Sequence, residues 1–538
     1  MKKFLQIFAL CALCVLAAPM VFAQNDDTVI IATKDNVIKL LQQHVKDGFT
    51  IELIGEIDED TIRTISDFIV DRYEYSTKPK INLDMSKATG LKTIPFEAFR
   101  YCANLESIKI PSSIENIDDY AFRDCDSLIE IIVDEHNENF KSVDGVLYSK
   151  DCSVLVCYPK SKNGKSFILP AEVNNIRKDA FCGFINLEGF LVNENNENYK
   201  AVEGVLYNKD KTILICCPSN KKVKSFIIPD GIEIIQDNAF TECKKLCSVT
   251  MPNSVEIVGD NAFYYCKKLK NIAISNCVEN IGNNAFRYCL ALESIIIPDK
   301  VKNLSDGIFY GCSNLETVTI KGDIKSIGNH SFIKCEKLKN VTIPESVETI
   351  GVFAFSRCEN LKEIIIPDGV KDIRDNTFSD CIHLESITMP DSIENIGFGA
   401  FQNCSNLNCI TIPTNVESIG GYAFEYCRKL QSIIIPENIK NIKDGTFYAC
   451  EKIKSTTIPD NVETIGWHAF NYCTNLESIV IPESVESFGD YAFAHCKNLK
   501  TINYKGSKEQ WDAIDKEAVW NEGCPKTMKI NFNYTEQQ

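Results

Sequence analysis

The sequence predicts a solenoid of stacked 23-residue units, with a parallel β-sheet along one face and a small α/β cap at its N-terminal end. The main observation is a cysteine that recurs every 23 residues from Cys243 to Cys496, always three residues after a phenylalanine. Most units also contain a short β-branched run followed by a proline, which indicates a strand and its end. Because a unit of 23 residues cannot bury its own apolar face, the units must stack, which aligns their strands in parallel.

The N-terminal residues are predicted to be a secretory signal peptide and not part of the fold. Lys2 and Lys3 precede an almost unbroken apolar stretch over 4–21, and residues 21–23 form a cleavage site. A membrane anchor is the alternative, but the small-residue end of the stretch favours cleavage. No later stretch is apolar enough to cross a membrane. We therefore expect a secreted, cell-surface or periplasmic protein without a transmembrane segment after signal cleavage.

Two helices and two strands are predicted before the repeats. Asn36–Lys46 and Asp58–Arg72 have helical apolar spacing, Phe49–Ile54 has the composition of a strand, and Ile81–Met85 alternates as an entry strand. The inward side of the two helices carries Val37, Leu40, Leu41, Val45, Ile62, Ile65, Phe68 and Ile69. This segment is expected to seal the first unit, as solenoid ends require.

One unit, Leu338–Cys358, illustrates the array. Val341-Thr342-Ile343 alternates in, out and in as a strand, and Pro344 ends it. Gly351 permits a tight corner before a turn that carries the core residue Phe355. Fifteen such units are predicted between Leu91 and Cys496.

Two units are longer than the others by 36 residues, because Phe122, Phe181 and Phe240 are 59 residues apart. The insertions resemble each other, and each is predicted to form a β-hairpin around a Lys-Asp pair. The predicted regions are the signal peptide (1–23), the N-terminal cap (24–84), the array (85–500) with insertions at about 134–169 and 193–228, and a closing segment (501–538) in which Trp511 and Trp520 cover the last unit.

The unit, which can be written LxxIxIPxxVxxIGxxAFxxC, resembles the bacterial BspA-like, or Treponema pallidum-type, leucine-rich repeat. The insertion motifs Gly145–Asp151 and Gly204–Asp210 and the closing motif Tyr504–Trp511 are also typical of that family. The resemblance implies a right-handed leucine-rich-repeat solenoid with its parallel sheet on the concave face, usually exported or surface-exposed. Some relatives are adhesins for host matrix proteins, although no residue motif transfers that activity.

The repeated cysteines are interpreted as buried thiols that pack like small apolar side chains and donate a weak hydrogen bond to a turn carbonyl. Disulfides between neighbouring units are the alternative, since the spacing of the stacked units, here called rungs, permits them. A metal site is disfavoured because zinc needs four convergent ligands, not a line of thiols. The structural ladder comprises Cys243, Cys266, Cys289, Cys312, Cys335, Cys358, Cys381, Cys404, Cys427, Cys450, Cys473 and Cys496.

Enzymatic and nucleic-acid-binding functions are not expected. The net charge of −17 disfavours a general nucleic-acid partner. The six histidines are scattered, and the chain lacks the HExxH, GxSxG, Walker and GxGxxG motifs. We expect no catalytic residues, no metal and no cofactor.

Two surface stripes are candidates for binding a protein or glycoprotein. The first is the nearly uncharged outer face of the strands, with Thr250, Ile296, Thr319, Thr342, Ile365, Thr388, Thr411, Ile434 and Thr457. The second is an aromatic stripe two residues after the core phenylalanine, with Tyr101, Tyr265, Tyr288, Tyr426 and Tyr472. Simple β-propensity would also explain the first stripe, and shielding of the unit edges would also explain the second.

The expected function is that of an exported, non-enzymatic repeat protein that mediates protein–protein interaction. An adhesin for host extracellular matrix proteins is its more specific form. The alternative is a structural cell-envelope protein without a specific host partner.

Overall fold

A computed structural model describes residues 29–37, 39–40, 48–70, 80–181, 183–516 and 519–535. The predicted signal peptide lies outside the described residues, as do Leu41 and Val45 of the first predicted helix. The chain forms two compact units, which divide between Lys200 and Ala201. Both contain parallel β-solenoid rungs, so the predicted fold class is confirmed.

The first unit begins with a parallel sheet and one helix. Strands β1 (Val29–Ala32), β2 (Phe49–Glu56) and β3 (Ile81–Thr89) lie side by side, and helix α1 (Glu59–Ile69) connects the second to the third. Asp58 caps α1, since its carboxylate accepts a hydrogen bond of 2.8 Å from the Thr61 N–H. The sheet continues from β3 directly into the first rungs.

The other strands of the first unit belong to the early rungs and the first insertion. They are Thr93–Ile94, Leu105–Ile110, Asn116–Ile117, Glu130–Val133, Phe140–Val143, Val146–Ser149, Val154–Cys157, Ser166–Leu169, Asn175–Ile176 and Gly189–Val192, while Tyr199–Val202 spans the boundary between the units. The predicted hairpin pairs Val146–Ser149 with Val154–Cys157. A second hairpin, which the sequence did not predict, turns at Asp144 and Gly145, both with positive φ.

The second unit is built on two rows of parallel strands in 23-residue register, which lengthens to 28 residues at the last pair of each row. Row A contains Ser225–Ile227, Ser248–Thr250, Asn271–Ala273, Ser294–Ile297, Thr317–Ile320, Asn340–Val341, Glu363–Ile365, Ser386–Thr388, Ser455–Thr457, Ser478–Ile481, Thr501–Tyr504 and Lys529–Asn531. Row B contains Ile234–Ile235, Ile257–Val258, Asn280–Ile281, Asn303–Leu304, Ser326–Ile327, Thr349–Ile350, Asp372–Ile373, Asn395–Ile396, Ser418–Ile419, Asn441–Ile442, Thr464–Ile465, Ser487–Phe488 and Asp515–Lys516. The second insertion adds an antiparallel pair, Val205–Asn208 and Ile213–Cys216.

A third set of contacts between rungs lies at the turn that carries the core phenylalanine. The N–H groups of Phe353, Phe355 and Arg357 donate to carbonyl oxygens of the next rung at 3.0, 2.9 and 2.8 Å. Phe353 and Arg357 have φ of 56° and 59°, in the left-handed region. Most rungs have non-glycine residues at these two left-handed positions. No glycine therefore marks the positions in the sequence.

The core phenylalanines stack along the second unit. The rings of Phe355 and Phe378 lie 5.5 Å apart and are nearly parallel, and both side chains are fully buried. The corner glycine leaves room for the preceding rung, since a Cβ at Gly328 would lie 2.6 Å from Asp306 Oδ1 and 2.7 Å from the Asp306 nitrogen. A glycine is therefore needed there for packing between rungs.

The closing segment extends both rows. A second helix, α2 (Lys508–Ala513), buries Trp511, whose ring lies 5.7 Å from Phe488 and 5.2 Å from Tyr504. Trp520 lies 5.3 Å from the Phe488 ring. The two tryptophans therefore pack on the last predicted rung, as expected.

Candidate interaction surface

The outer side chains of row A form a continuous and nearly uncharged surface, here called the row A face, in which Glu363 is an exposed carboxylate two residues before Ile365. Its nine predicted residues are all exposed, with Ile296, Ile365 and Ile434 at 52%, 66% and 83% exposure. Their inward neighbours are buried, apart from the partly buried Ile320 and Met389, so the alternation predicted from the sequence is confirmed. At Thr411 and Ile434 the alternation persists although the chain is not regular strand there.

The structure adds residues that the sequence analysis missed. Ile227 is 76% exposed and pairs with Thr250 at the start of the same face. In the first unit, Ile168 and Leu191 pair with each other in the equivalent position and are exposed. The sequence contains a signal for these residues. Within the insertions, residues 225–229 and 166–170 keep the order of strand residues followed by proline that the regular units have.

Charges border the row A face on the side where each strand begins. Here this border is called the N-flank, and it comprises Lys270, Glu293, Glu316, Lys339, Lys362 and Glu385. Lys270 Nζ lies 2.9 Å from Glu293, and Lys339 Nζ lies 2.9 Å from Glu316. A hydrogen bond from Lys339 lowers the pKa of Glu316 below its usual range. These exposed ion pairs contribute little to the free energy of unfolding. Positive and negative side chains follow each other along the border in the order given above.

The predicted aromatic stripe separates into two clusters in the second unit. Tyr265 and Tyr288 have ring centroids 4.5 Å apart, and Tyr310 continues the first cluster. Tyr426 and Tyr472 are bridged by Tyr448, at 5.3 and 5.8 Å. Between the clusters the stripe position is occupied by Gly311, Lys334, Arg357, Asp380 and Asn403.

Tyr101 lies in the first unit, where its half-exposed ring is 4.5 Å from the Arg100 guanidinium. All five predicted tyrosines have positive φ. Their position is therefore the second left-handed site of the turn, and their rings lie against neighbouring side chains as well as solvent. This geometry supports edge shielding as much as recognition.

The ladder cysteines are buried and donate to turn carbonyls, as predicted. Cys266 Sγ lies 3.0 Å from the carbonyl oxygen of Phe240, and the bond repeats at 3.1–3.3 Å up to Cys496. Cys243 makes a longer contact, 3.6 Å from the Cys217 oxygen. Burial raises the pKa of Cys312, Cys381 and Cys473 to about 12, which makes these thiols unreactive at neutral pH.

The closing segment continues this ladder with a residue that the spacing did not reveal. Cys524 Sγ lies 3.1 Å from the Phe493 carbonyl oxygen, although 28 residues separate it from Cys496. A hydrogen bond with Cys496 lowers the pKa of the half-buried Cys524 thiol. Cys409, in contrast, is exposed.

Among the described residues, no group of three or more histidine, cysteine, aspartate or glutamate side chains could hold a metal ion. In the same residues, no helix has the length and apolar character needed to span a bilayer. The row A face offers an extended surface for contact with a partner.

The repeat pattern matches a known family model. The model for the BspA type leucine rich repeat region (6 copies) matches residues 70–151, 211–339, 325–444 and 396–522. No curated protein matches the chain.

Solved structures of bacterial leucine-rich repeat proteins are similar to this chain. A leucine-rich repeat protein from Eubacterium ventriosum is 24% identical, with 69% of this chain and 93% of that chain covered and a TM-score of 0.39. A leucine rich cell surface protein from Faecalibacterium prausnitzii is 25% identical, with coverages of 70% and 98% and a TM-score of 0.40. The leucine rich repeat protein of T. pallidum is 26% identical, with coverages of 37% and 86% and a TM-score of 0.28.

Proposed function

This chain belongs to the BspA-type leucine-rich repeat family, and from that premise we propose that it is an exported, non-enzymatic protein that binds a protein or glycoprotein partner through the row A face. Its more specific role in this proposal is adhesion to a host extracellular matrix protein. The family is generally non-enzymatic, and its members are typically exported or at the cell surface.

The observation that carries the proposal is the contrast between the row A face and the rest of the chain. The nine residues of the face bear no ionisable group, on a protein with a net charge of −17. Covering exposed isoleucines such as Ile365 and Ile434 with a partner removes apolar surface from water and so favours binding. Threonine hydroxyls between them can exchange hydrogen bonds with a partner backbone or a glycan.

The test is a binding measurement with the purified chain from residue 24 onward against immobilised fibronectin, fibrinogen and other matrix proteins. The triple variant Ile296→Lys, Ile365→Lys and Ile434→Lys should lose at least about tenfold in affinity, because each lysine must be desolvated in the interface. The control Asn303→Lys, Thr349→Lys and Asn441→Lys adds the same charge at exposed positions of row B and should bind like the unaltered protein.

Equal affinity of the two triple variants would refute the row A face as the binding site. Absence of binding by the unaltered protein to every matrix protein would refute the adhesin role. It would favour the alternative, a structural cell-envelope protein without a specific host partner.

A further inference from the structure

The large apolar residues of the row A face recur at a fixed interval of three rungs. Ile227, Ile296, Ile365 and Ile434 are each 69 residues apart, and they are exposed by 76%, 52%, 66% and 83%. With rungs about 4.8 Å apart, the interval is about 14 Å. Threonine or alanine occupies the rungs between them.

We propose that the row A face is also a contact between two copies of this chain, related by a two-fold axis that runs parallel to the strands midway between Thr319 and Thr342. Such an axis reverses the order of rungs in the second copy. Ile296 then faces Ile365 of the second copy, and Ile227 faces Ile434. A second copy presents isoleucines at the same interval, so all four can be covered at once.

The order of charges on the N-flank fits the same axis. Glu316 faces Lys339 of the second copy, Glu293 faces Lys362, and Lys270 faces Glu385. The two-fold axis therefore creates three pairs of opposite charges, and each pair occurs once on each side of the axis. Opposite charges across a contact select its register and accelerate encounter.

Other positions of the two-fold axis do not pair the opposite charges and the isoleucines in this way. An axis through the rung of Ile296 would place Glu293 opposite Glu293 of the second copy. An axis through the rung of Ile365 would place Lys362 opposite Lys362 of the second copy. Either displacement also leaves one of the four isoleucines without an isoleucine opposite it. Like charges at the centre of a contact disfavour those registers.

The opposite border of the face limits the affinity. Asp299 faces Asp368 of the second copy there, although Lys321, which replaces the usual proline, lies next to Glu345 of that copy.

Ten rungs of short strands bury roughly 1,000 Å² in total, below the size of most stable interfaces. We therefore expect a reversible dimer with a dissociation constant of about 10–100 μM.

The proposal does not rest on the proposed function, and its test uses the purified protein alone. Sedimentation equilibrium should show a monomer–dimer equilibrium for the chain from residue 24 onward. Replacing Ile296→Thr together with Ile365→Thr should weaken dimerisation at least about tenfold while keeping β-branched residues in the strands. Ile257→Thr, a partly exposed isoleucine of row B, is the matched control and should have no effect.

A reciprocal charge reversal decides the register. Glu293→Lys and Lys362→Glu should each weaken dimerisation at least about tenfold, because like charges then face each other. An equimolar mixture of the two variants should recover dimers, since each altered residue faces its opposite in the mixed pair. Circular dichroism melting verifies that both variants fold.

A monomer at all concentrations up to about 500 μM would overturn the proposal, since that is well above the expected dissociation constant. Dimers that are insensitive to the isoleucine changes would also overturn it. Failure of the mixture to associate more strongly than either variant alone would overturn the antiparallel register. None of these outcomes bears on binding of a matrix protein.

Discussion

The Sγ atom of Cys358 lies 3.2 Å from the backbone carbonyl oxygen of Phe332, which precedes it by 26 residues and belongs to the previous rung. The Phe332 oxygen also accepts the N–H of Cys335 at 3.0 Å within its own rung. One carbonyl therefore satisfies a donor from each of two rungs. This contact explains why a thiol, and not simply a small apolar group, repeats at this position.

Removal of one ladder thiol should destabilise the protein measurably. Cys358→Ala deletes the S–H donor and leaves a small cavity, so the free energy of unfolding should fall by about 1–2 kcal/mol. Urea unfolding followed by circular dichroism measures the change. Cys409→Ala, at an exposed cysteine, is the control and should leave the midpoint unchanged. Equal midpoints for both variants would show that the hydrogen bond has no energetic role.

Thiol reactivity should follow burial in the reduced, folded protein. A maleimide at pH 8 should modify Cys409 and Cys524 first, because the former is exposed and the pKa of the latter is lowered. The ladder from Cys243 to Cys496 should react only after unfolding in urea. Peptide mass spectrometry identifies the modified sites, and rapid labelling of Cys312 or Cys381 in the folded protein would contradict their burial.

Stability should decline at alkaline pH. Burial raises the pKa of Cys312, Cys381 and Cys473 from 9.0 to about 12, so the folded chain keeps protons that the unfolded chain has lost. The stabilisation is complete below pH 9 and is lost between about pH 9 and 12. Thermal melting from pH 8 to 11 measures the decline.

Tyr448 titrates in the same direction, since burial also raises its pKa to about 12. The contribution of the thiols is isolated with the triple variant Cys312→Ala, Cys381→Ala and Cys473→Ala. Its melting temperature should start lower but fall less steeply above pH 9. Parallel curves for the two proteins would assign the alkaline decline to other groups.

The buried amide of Asn137 should be essential to the first insertion. Its Nδ2 donates to the carbonyl oxygens of Pro111 at 3.0 Å and Ile114 at 2.9 Å, and its Oδ1 accepts from Phe140 at 2.8 Å. Asn137→Asp places a carboxylate against two carbonyl oxygens and should cost about 3 kcal/mol or more.

Asn139→Asp, two residues away at an exposed site, makes the same chemical change and should cost less than about 1 kcal/mol. Urea unfolding of the two variants provides the comparison. Similar losses would mean that the charge itself, and not the buried hydrogen bonds, controls stability here.

The candidate surface was largely predictable from the sequence because both of its determinants are local or periodic. Alternation along a strand places Ile296 outward and Ile295 inward, and the 23-residue period places Thr319 beside Ile296. Ile227 was missed because an insertion interrupts the period before it. The hairpin at Asp144 and Gly145 was missed because its flanking residues, such as Lys141 and Ser142, are polar.

The period, the stacking of rungs, the buried phenylalanines and cysteines, and the nearly uncharged outer face could all be predicted from the sequence. These features depend on the order of apolar and polar residues within a unit. Three features could not be predicted in this way: the left-handed conformations of Phe353 and Arg357, the close approach of Asp306 to Gly328, and the acceptor for Cys358. Each of these depends on atoms of an adjacent rung, at distances that are fixed only when the rungs are packed together.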